Sequence, residues 1–163
     1  MGNQSRPGLM GHSEEVLSFW ERAKKAMGIN GDFVDAWGFG DNPRLKDELL
    51  SLVLEGKKTG TTSLVKENEL EGWPINKVGD YSVILDGLDR PRAVIQTLSV
   101  RRCRFDEVDA EHAFSEGEDD RSLASFAREH RKYWRRSGER LGYAFKDDME
   151  VILESFKLVY SEP

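Results

Sequence analysis

Apolar residues recur three and four positions apart along three segments of the chain, the spacing that places them on one face of a helix. The predicted helices cover residues 12–27, 42–56 and 122–140, with a shorter one over residues 105–114. Asn42 is a favoured N-cap, and Pro43 suits the first helical position because no hydrogen bond is lost there. Gly28 and Gly56 are the predicted stops.

Strands are predicted where short runs of β-prone residues stand between turn signals. Residues 81–85 follow a Val-Gly-Asp turn, residues 93–104 follow an Asp-Arg-Pro turn, and residues 151–160 form a final strand. A few strands among several helices are typical of an α+β domain. Periodicity alone leaves open whether these strands close into a barrel.

The length of 163 residues indicates one domain. Residues 1–11 are rich in Gly, Ser, Asn and Pro and are expected to form a flexible tail, with a single domain over residues 12–163. No run approaches the roughly 20 apolar residues of a membrane span, and residues 1–11 contain no apolar stretch typical of a secretory signal. The single cysteine, Cys103, fits a reducing compartment. We therefore expect a cytoplasmic protein with no membrane contact.

The net charge of -6 argues against indiscriminate binding to nucleic acid. Locally, however, the acidic residues 116–120 are followed by an arginine-rich segment over residues 121–140. A solvated helix face is the ordinary interpretation of such a run. The alternative is a face that contacts RNA phosphates, for which the candidates are Arg128, Arg131 and Arg135.

The segment Gly-Lys-Lys-Thr at residues 56–59 invites comparison with a phosphate-binding Walker loop. The spacing excludes this, because Ser51 stands where the first glycine is required, and the segment follows a predicted helix rather than a strand. Two interpretations remain for Lys58 and the hydroxyls after it. They form either a polar turn or a site where a lysine that has lost its proton activates a threonine.

Metal and cofactor sites are not expected. The histidines His12, His112 and His130 are scattered, and the chain contains neither a His-Glu-x-x-His motif nor paired cysteines. His130 lies on the apolar stripe of its predicted helix, which favours a histidine packed in the core.

Four segments together resemble the ASCH domain (activating signal cointegrator homology domain), in particular its small stand-alone bacterial and archaeal members. They are Phe-Gly-Asp-Asn-Pro at residues 39–43, Gly-Lys-Lys-Thr-Gly-Thr-Thr-Ser at 56–63, the strand over 77–87 and the acidic loop at 116–123. The resemblance implies a PUA-like fold, a small mixed β-barrel with surrounding helices. It also implies a cleft that faces residues 56–63 and binds a nucleoside or single-stranded RNA.

Some ASCH proteins are amidohydrolases that remove the acetyl group from N4-acetylcytidine, and others cleave RNA. The amidohydrolase motif corresponds here to Lys58 as the base, Thr61 as the nucleophile and Glu116, which orients the lysine or handles a proton. The residues expected to contact substrate around them are Lys57, Thr59, Ser63, Asp119 and Ser122. Ser63 stands where those enzymes place an arginine, and Ser122 is also a good N-cap for the following helix. An RNA-binding module without chemistry is the remaining alternative.

Overall fold

A computed structural model describes residues 11–163, so the predicted tail lies outside the described residues except for Gly11. Within residues 11–163 the helices are α1 (Glu14–Met27), α2 (Pro43–Leu54), α3 (Val65–Glu71), α4 (Ala110–Ser115) and α5 (Leu123–Leu141). The strands are β1 (Asp35–Trp37), β2 (Gly60–Leu64), β3 (Tyr81–Leu85), β4 (Pro91–Arg104) and β5 (Glu150–Ser161).

The five strands form one mixed sheet in the order β1-β3-β4-β5-β2. β1 runs parallel to β3, and the other neighbouring pairs are antiparallel. The pairing of β4 with β5 shifts register between Thr97 and Ser99, a bulge of the kind that bends and twists strands. The curved sheet is a half-barrel surrounded by helices, which confirms the predicted α+β class.

The helix starts follow from their capping residues. The side chains of Ser13, Asn42 and Ser122 accept hydrogen bonds from the backbone three residues on, at 3.2, 2.9 and 3.0 Å, and so begin α1, α2 and α5. Gly28 ends α1 in the left-handed conformation, as predicted. The predictions for Asn42, Ser122 and Gly28 are confirmed, because capping depends on local sequence alone, whereas the cap at Ser13 was not predicted.

No strand was predicted directly after Lys58, where a polar turn was one of the two interpretations, but residues 60–64 form strand β2, paired with β5. Thr is β-branched and suits a strand, but its polarity hides that preference when the strand is buried on both faces. The short strand β1 and helix α3 were also not predicted. The single helix expected over residues 105–114 is instead a 3-10 turn followed by α4, because Asp109 caps α4 by accepting from the backbone of His112 at 2.8 Å.

The sheet buries its two faces against different helices. α1 covers one apolar cluster with β1, β3 and β4, and α2 covers a second cluster that includes Trp37, Phe39 and Phe156. α4 and α5 cover a third cluster at the other end of β5. The segment between α2 and β2 therefore runs between the second and third clusters. No helix within residues 11–163 is both long enough and apolar enough to cross a membrane.

Candidate functional site

Lys58 lies between the end of α2 and the start of β2, and its ammonium group is buried among carboxylates. The residue is 1% exposed. Its Nζ donates to Glu116 Oε1 at 3.0 Å, to the Gly60 carbonyl at 2.9 Å and to Glu118 Oε2 at 3.4 Å. The backbone N–H of Lys58 donates to the Leu52 carbonyl, so the end of α2 fixes where the side chain begins.

Glu116 follows α4 and holds the centre of the cluster. Its second oxygen, Oε2, accepts from Thr62 Oγ1 at 2.5 Å, and Thr62 Oγ1 lies 2.8 Å from His112 Nε2. Because a hydroxyl has one hydrogen, and Thr62 gives it to Glu116, His112 Nε2 must be the donor to Thr62. His130 approaches from α5, with Nε2 3.3 Å from Glu116 Oε2.

The charges of Lys58 and Glu116 stabilise each other strongly. Burial lowers the pKa of Lys58, but the Glu116 and Glu118 carboxylates outweigh it and raise the pKa above its ordinary value. Burial raises the pKa of Glu116, but the Lys58 ammonium and His130 outweigh it and hold the pKa well below its ordinary value. The structure therefore has an ammonium facing a carboxylate. The direction at Lys58 is opposite to the one that the predicted general base needs, because the Glu116 and Glu118 carboxylates outweigh the effect of burial on the pKa.

A close backbone approach holds the acidic loop over Lys58. Gly117 has a φ of 71°, and a Cβ added there would lie 2.5 Å from the Lys57 carbonyl oxygen. The Thr59 N–H donates to the Ser115 carbonyl at 2.7 Å, and the Arg121 guanidinium donates to the Lys57 carbonyl at 3.1 Å. A glycine is required at position 117 because only it combines this φ with this contact.

Thr61 lies on the opposite face of β2 from Thr62, because successive side chains of a strand point to opposite faces. Its cross-strand partner is Glu154, a buried carboxylate on β5. Phe156 shares that face of β5 and stacks on Phe39 with the ring centres 5.9 Å apart. Lys58 Nζ lies 5.0 Å from the centre of the same Phe39 ring. Thr61 and Lys58 thus border one aromatic cluster, although the Lys58 hydrogen bonds among the described residues go to Gly60, Glu116 and Glu118.

Of the predicted catalytic residues, the structure joins Lys58 and Glu116 directly. The predicted substrate contacts have other partners. Lys57 and Thr59 are exposed, and Lys57 pairs with Glu55. Ser63 accepts a hydrogen bond from Asn68, and Asp119 accepts one from Ser125. Ser122 caps α5.

The predicted RNA-contacting arginines lie on the exposed side of α5. Arg128 pairs with Asp119 at 3.3 Å, and Arg131 pairs with Asp147 at 2.9 Å. The neighbouring carboxylates offset two of the three positive charges, which weakens the attraction of this surface for phosphates.

Four residues of the site were not predicted: Thr62, His112, Glu118 and Glu154. The spacing of His112 and Glu116 is a signal that was available, because residues four apart share one face of a helix. His130 was expected in the core, and it is buried there, with its ring 4.0 Å from Phe126 and 5.1 Å from Trp134 between centres. Its contact with Glu116 was not foreseen.

A small cavity borders the cluster, and larger cavities lie along α2 and α5. A cavity of about 20 Å³ lies between Glu116 and His130, enough for a single water molecule. Between α2 and α5 are two larger cavities, one of about 360 Å³ that includes Leu49, Leu52 and Glu118, and one of about 460 Å³. Within the part of the chain that the structure describes, no group of three or more His, Cys, Asp or Glu residues is arranged to hold a metal ion.

The family model of the ASCH domain matches residues 35–160, well over half of the chain. The crystal structure of an ASCH domain from Lactobacillus crispatus JV V101 superposes with a TM-score of 0.83 at 28% identity, covering 94% of this chain and 99% of that one. A crystal structure of a protein from Enterococcus faecalis V583 gives a TM-score of 0.82 at 28% identity, covering 90% of this chain and 88% of that one. No curated protein matches the sequence significantly.

Proposed function

Because the chain belongs to the ASCH domain family, we propose that it binds a modified nucleoside, free or within single-stranded RNA, and hydrolyses an N4-acylated cytidine. The ASCH domain is a PUA-like fold, a fold often linked to RNA binding. The observation that carries the proposal is the buried cluster of Lys58, Glu116 and Glu118. Buried charges with strongly shifted pKa values destabilise a fold unless they are well paired, and they concentrate at functional sites.

In the proposed reaction Lys58 acts as an ammonium and not as a base. The Thr61 hydroxyl oxygen attacks the acyl carbonyl carbon, and the carbonyl electron pair moves onto its oxygen. The positive charge of the Lys58 ammonium stabilises this oxyanion electrostatically, and Glu116 holds the ammonium in place. The apolar cluster around Phe39 excludes water, which strengthens this stabilisation.

The proton of Thr61 needs an acceptor other than Lys58, and Glu154 is the candidate. The two residues are direct partners across β2 and β5, and such partners have Cβ atoms about 5 Å apart. Glu154 accepts the proton during attack and returns it to the cytidine N4 amine as the C–N bond breaks. Water then hydrolyses the acyl-threonine ester, which releases acetate and the free hydroxyl.

Cytidine release from N4-acetylcytidine tests this function. Thr61→Val keeps the shape of the side chain and removes the nucleophile, and Glu154→Gln removes the proton acceptor. We expect each to lower kcat by about 10²–10⁴-fold. Thr97→Val is the matched control, because it removes a buried threonine hydroxyl on β4 that lies opposite Phe156. Full activity in Thr61→Val would rule out the covalent route.

The alternative is a module that binds single-stranded RNA without catalysing a reaction. The ion pair of Lys58 also favours this alternative, since a fixed ammonium can hold a nucleobase without transferring a proton. This alternative expects RNA affinity that falls steeply with salt, because counterions are released on binding. Incubating the same RNA with the protein distinguishes a third possibility, an RNA-cleaving ASCH enzyme, by the appearance of shortened products.

A further inference from the structure

A cavity of about 460 Å³ lies between the start of α2 and the last turns of α5. This volume falls in the range of about 300–1,000 Å³ that is typical of small-molecule sites. The residues of the Lys58 cluster do not line this cavity, so the proposed reaction gives it no role. Its lining consists mainly of polar and charged residues, whose apolar atoms contribute about half of the surface: Asp41, Asn42, Pro43, Lys46, Arg136, Ser137 and Arg140.

The cavity is basic, although the chain as a whole carries a net charge of -6. Three cationic side chains, Lys46, Arg136 and Arg140, line it against one carboxylate, Asp41. Each cation has a carboxylate partner: Lys46 pairs with Asp89 at 2.9 Å, Arg136 with Asp41 at 2.6 Å and Arg140 with Glu71 at 3.9 Å. Every pair has at least one solvent-exposed member, so water screens these interactions and an anionic ligand can replace them.

Two further features point to an anion. The cavity includes the N-terminus of α2, a helix of 12 residues whose dipole is positive at this end. Next to Arg136 lies Tyr133, a buried residue whose hydroxyl has no hydrogen-bond partner among residues 11–163. The Arg136 guanidinium lies 5.5 Å from the centre of the Tyr133 ring. The hydroxyl is thus a donor without an acceptor, on a residue whose ring lies beside one of the cations that line the cavity.

The cavity is also close to the proposed nucleoside site. Phe39, whose ring contacts the Lys58 ammonium, is two residues before Asp41. Since consecutive Cα atoms are about 3.8 Å apart, the two residues are within about 8 Å of each other.

We propose that this cavity binds a phosphate group, and that the ligand of the chain is a phosphorylated nucleoside. This proposal rests on the proposed function for the position of the base, whereas the phosphate site stands on its own residues. The phosphate oxygens accept from Lys46, Arg136 and Arg140 in place of the present carboxylates. The proposed phosphate contacts therefore lie on α2 and on the last turns of α5.

Isothermal titration with inorganic phosphate, cytidine and cytidine 5′-monophosphate tests the site. We expect the monophosphate to bind at least about tenfold more tightly than cytidine, and phosphate to compete with it. Arg140→Gln is expected to remove this preference without unfolding the protein, because its side chain is 58% exposed. Arg44→Gln is the matched control, an exposed arginine on α2 that pairs with Glu48 and does not line the cavity.

Equal affinities for cytidine and its monophosphate would overturn the proposal, and so would an unchanged preference in Arg140→Gln. A single-stranded RNA oligomer that competes with phosphate identifies a phosphate within a strand as the ligand, and failure to compete identifies the monoester. Phosphate binding by Thr61→Val separates the two proposals. If this variant still binds phosphate while the wild-type protein does not hydrolyse N4-acetylcytidine, only the proposed reaction fails and the phosphate site stands.

Discussion

Glu116→Gln removes one charge from the buried pair and keeps nearly everything else. The amide has the size of the carboxylate, and its oxygen still accepts from Thr62, while its NH2 group replaces the oxygen that accepted from Lys58. The Lys58 ammonium then remains buried, with only Glu118 and backbone carbonyls near it. Breaking a buried ion pair from one side typically destabilises a protein by about 3–5 kcal/mol. Because Glu118 still faces the ammonium at 3.4 Å, we expect a loss near the lower limit, about 3 kcal/mol.

Lys58→Met leaves the opposite charge unpaired and should also destabilise the fold by about 3–5 kcal/mol. The double variant Lys58→Met with Glu116→Gln removes both charges. It should therefore lose about 2–3 kcal/mol less than the sum of the single losses, which is the coupling of a contacting pair.

Urea unfolding measures these losses, with the slope of the transition checked for each variant. Lys57→Met is the matched control, because the adjacent lysine is exposed and pairs with Glu55 only at the surface. Its stability should change by less than about 0.5 kcal/mol. Two results would refute the reasoning: single losses as small as that of Lys57→Met, or losses that simply add in the double variant.

Three other changes test neighbouring features. Gly117→Ala should lower the free energy of unfolding by about 1–3 kcal/mol more than Gly72→Ala. Both glycines have a positive φ, but only a Cβ at position 117 meets the Lys57 backbone. Equal shifts in Tm would contradict this. Ser122→Ala should cost about 1 kcal/mol in urea unfolding by removing the cap of α5, and an unchanged midpoint would exclude that role. Because folding lowers the pKa of Glu116, its stabilisation is present above an unfolded pKa of about 4.3 and is lost as pH falls further. Glu116→Gln should therefore lose less stability than wild type between pH 5 and pH 2, and parallel profiles would contradict this.

Local signals account for the parts of the fold that the sequence predicts well. Asn42 and Ser122 mark helix starts because capping involves only residues three positions apart. The β3 range, Tyr81–Leu85, agrees residue for residue because turns delimit a short apolar run. The buried strand β2 was missed because its burial depends on β5, about 90 residues further along the chain.

The site shows the same division. Lys58 and Glu116 were identified together through the family resemblance, and they do form a pair. The face of β2 on which each threonine lies could not be predicted, because a shift of one residue in register exchanges Thr61 and Thr62. The direction of the Lys58 pKa depends on two carboxylates 58 and 60 residues away, so burial alone gives the wrong sign.

The central claim is that the Lys58 ammonium, held by Glu116, supports hydrolysis of an N4-acylated cytidine. The most direct measurement is the rate of cytidine release from N4-acetylcytidine by wild type and by Lys58→Met, at a temperature where both are folded. The account predicts steady release by wild type and a rate at least about 100-fold lower in the variant. Release by Lys58→Met at the wild-type rate would contradict it.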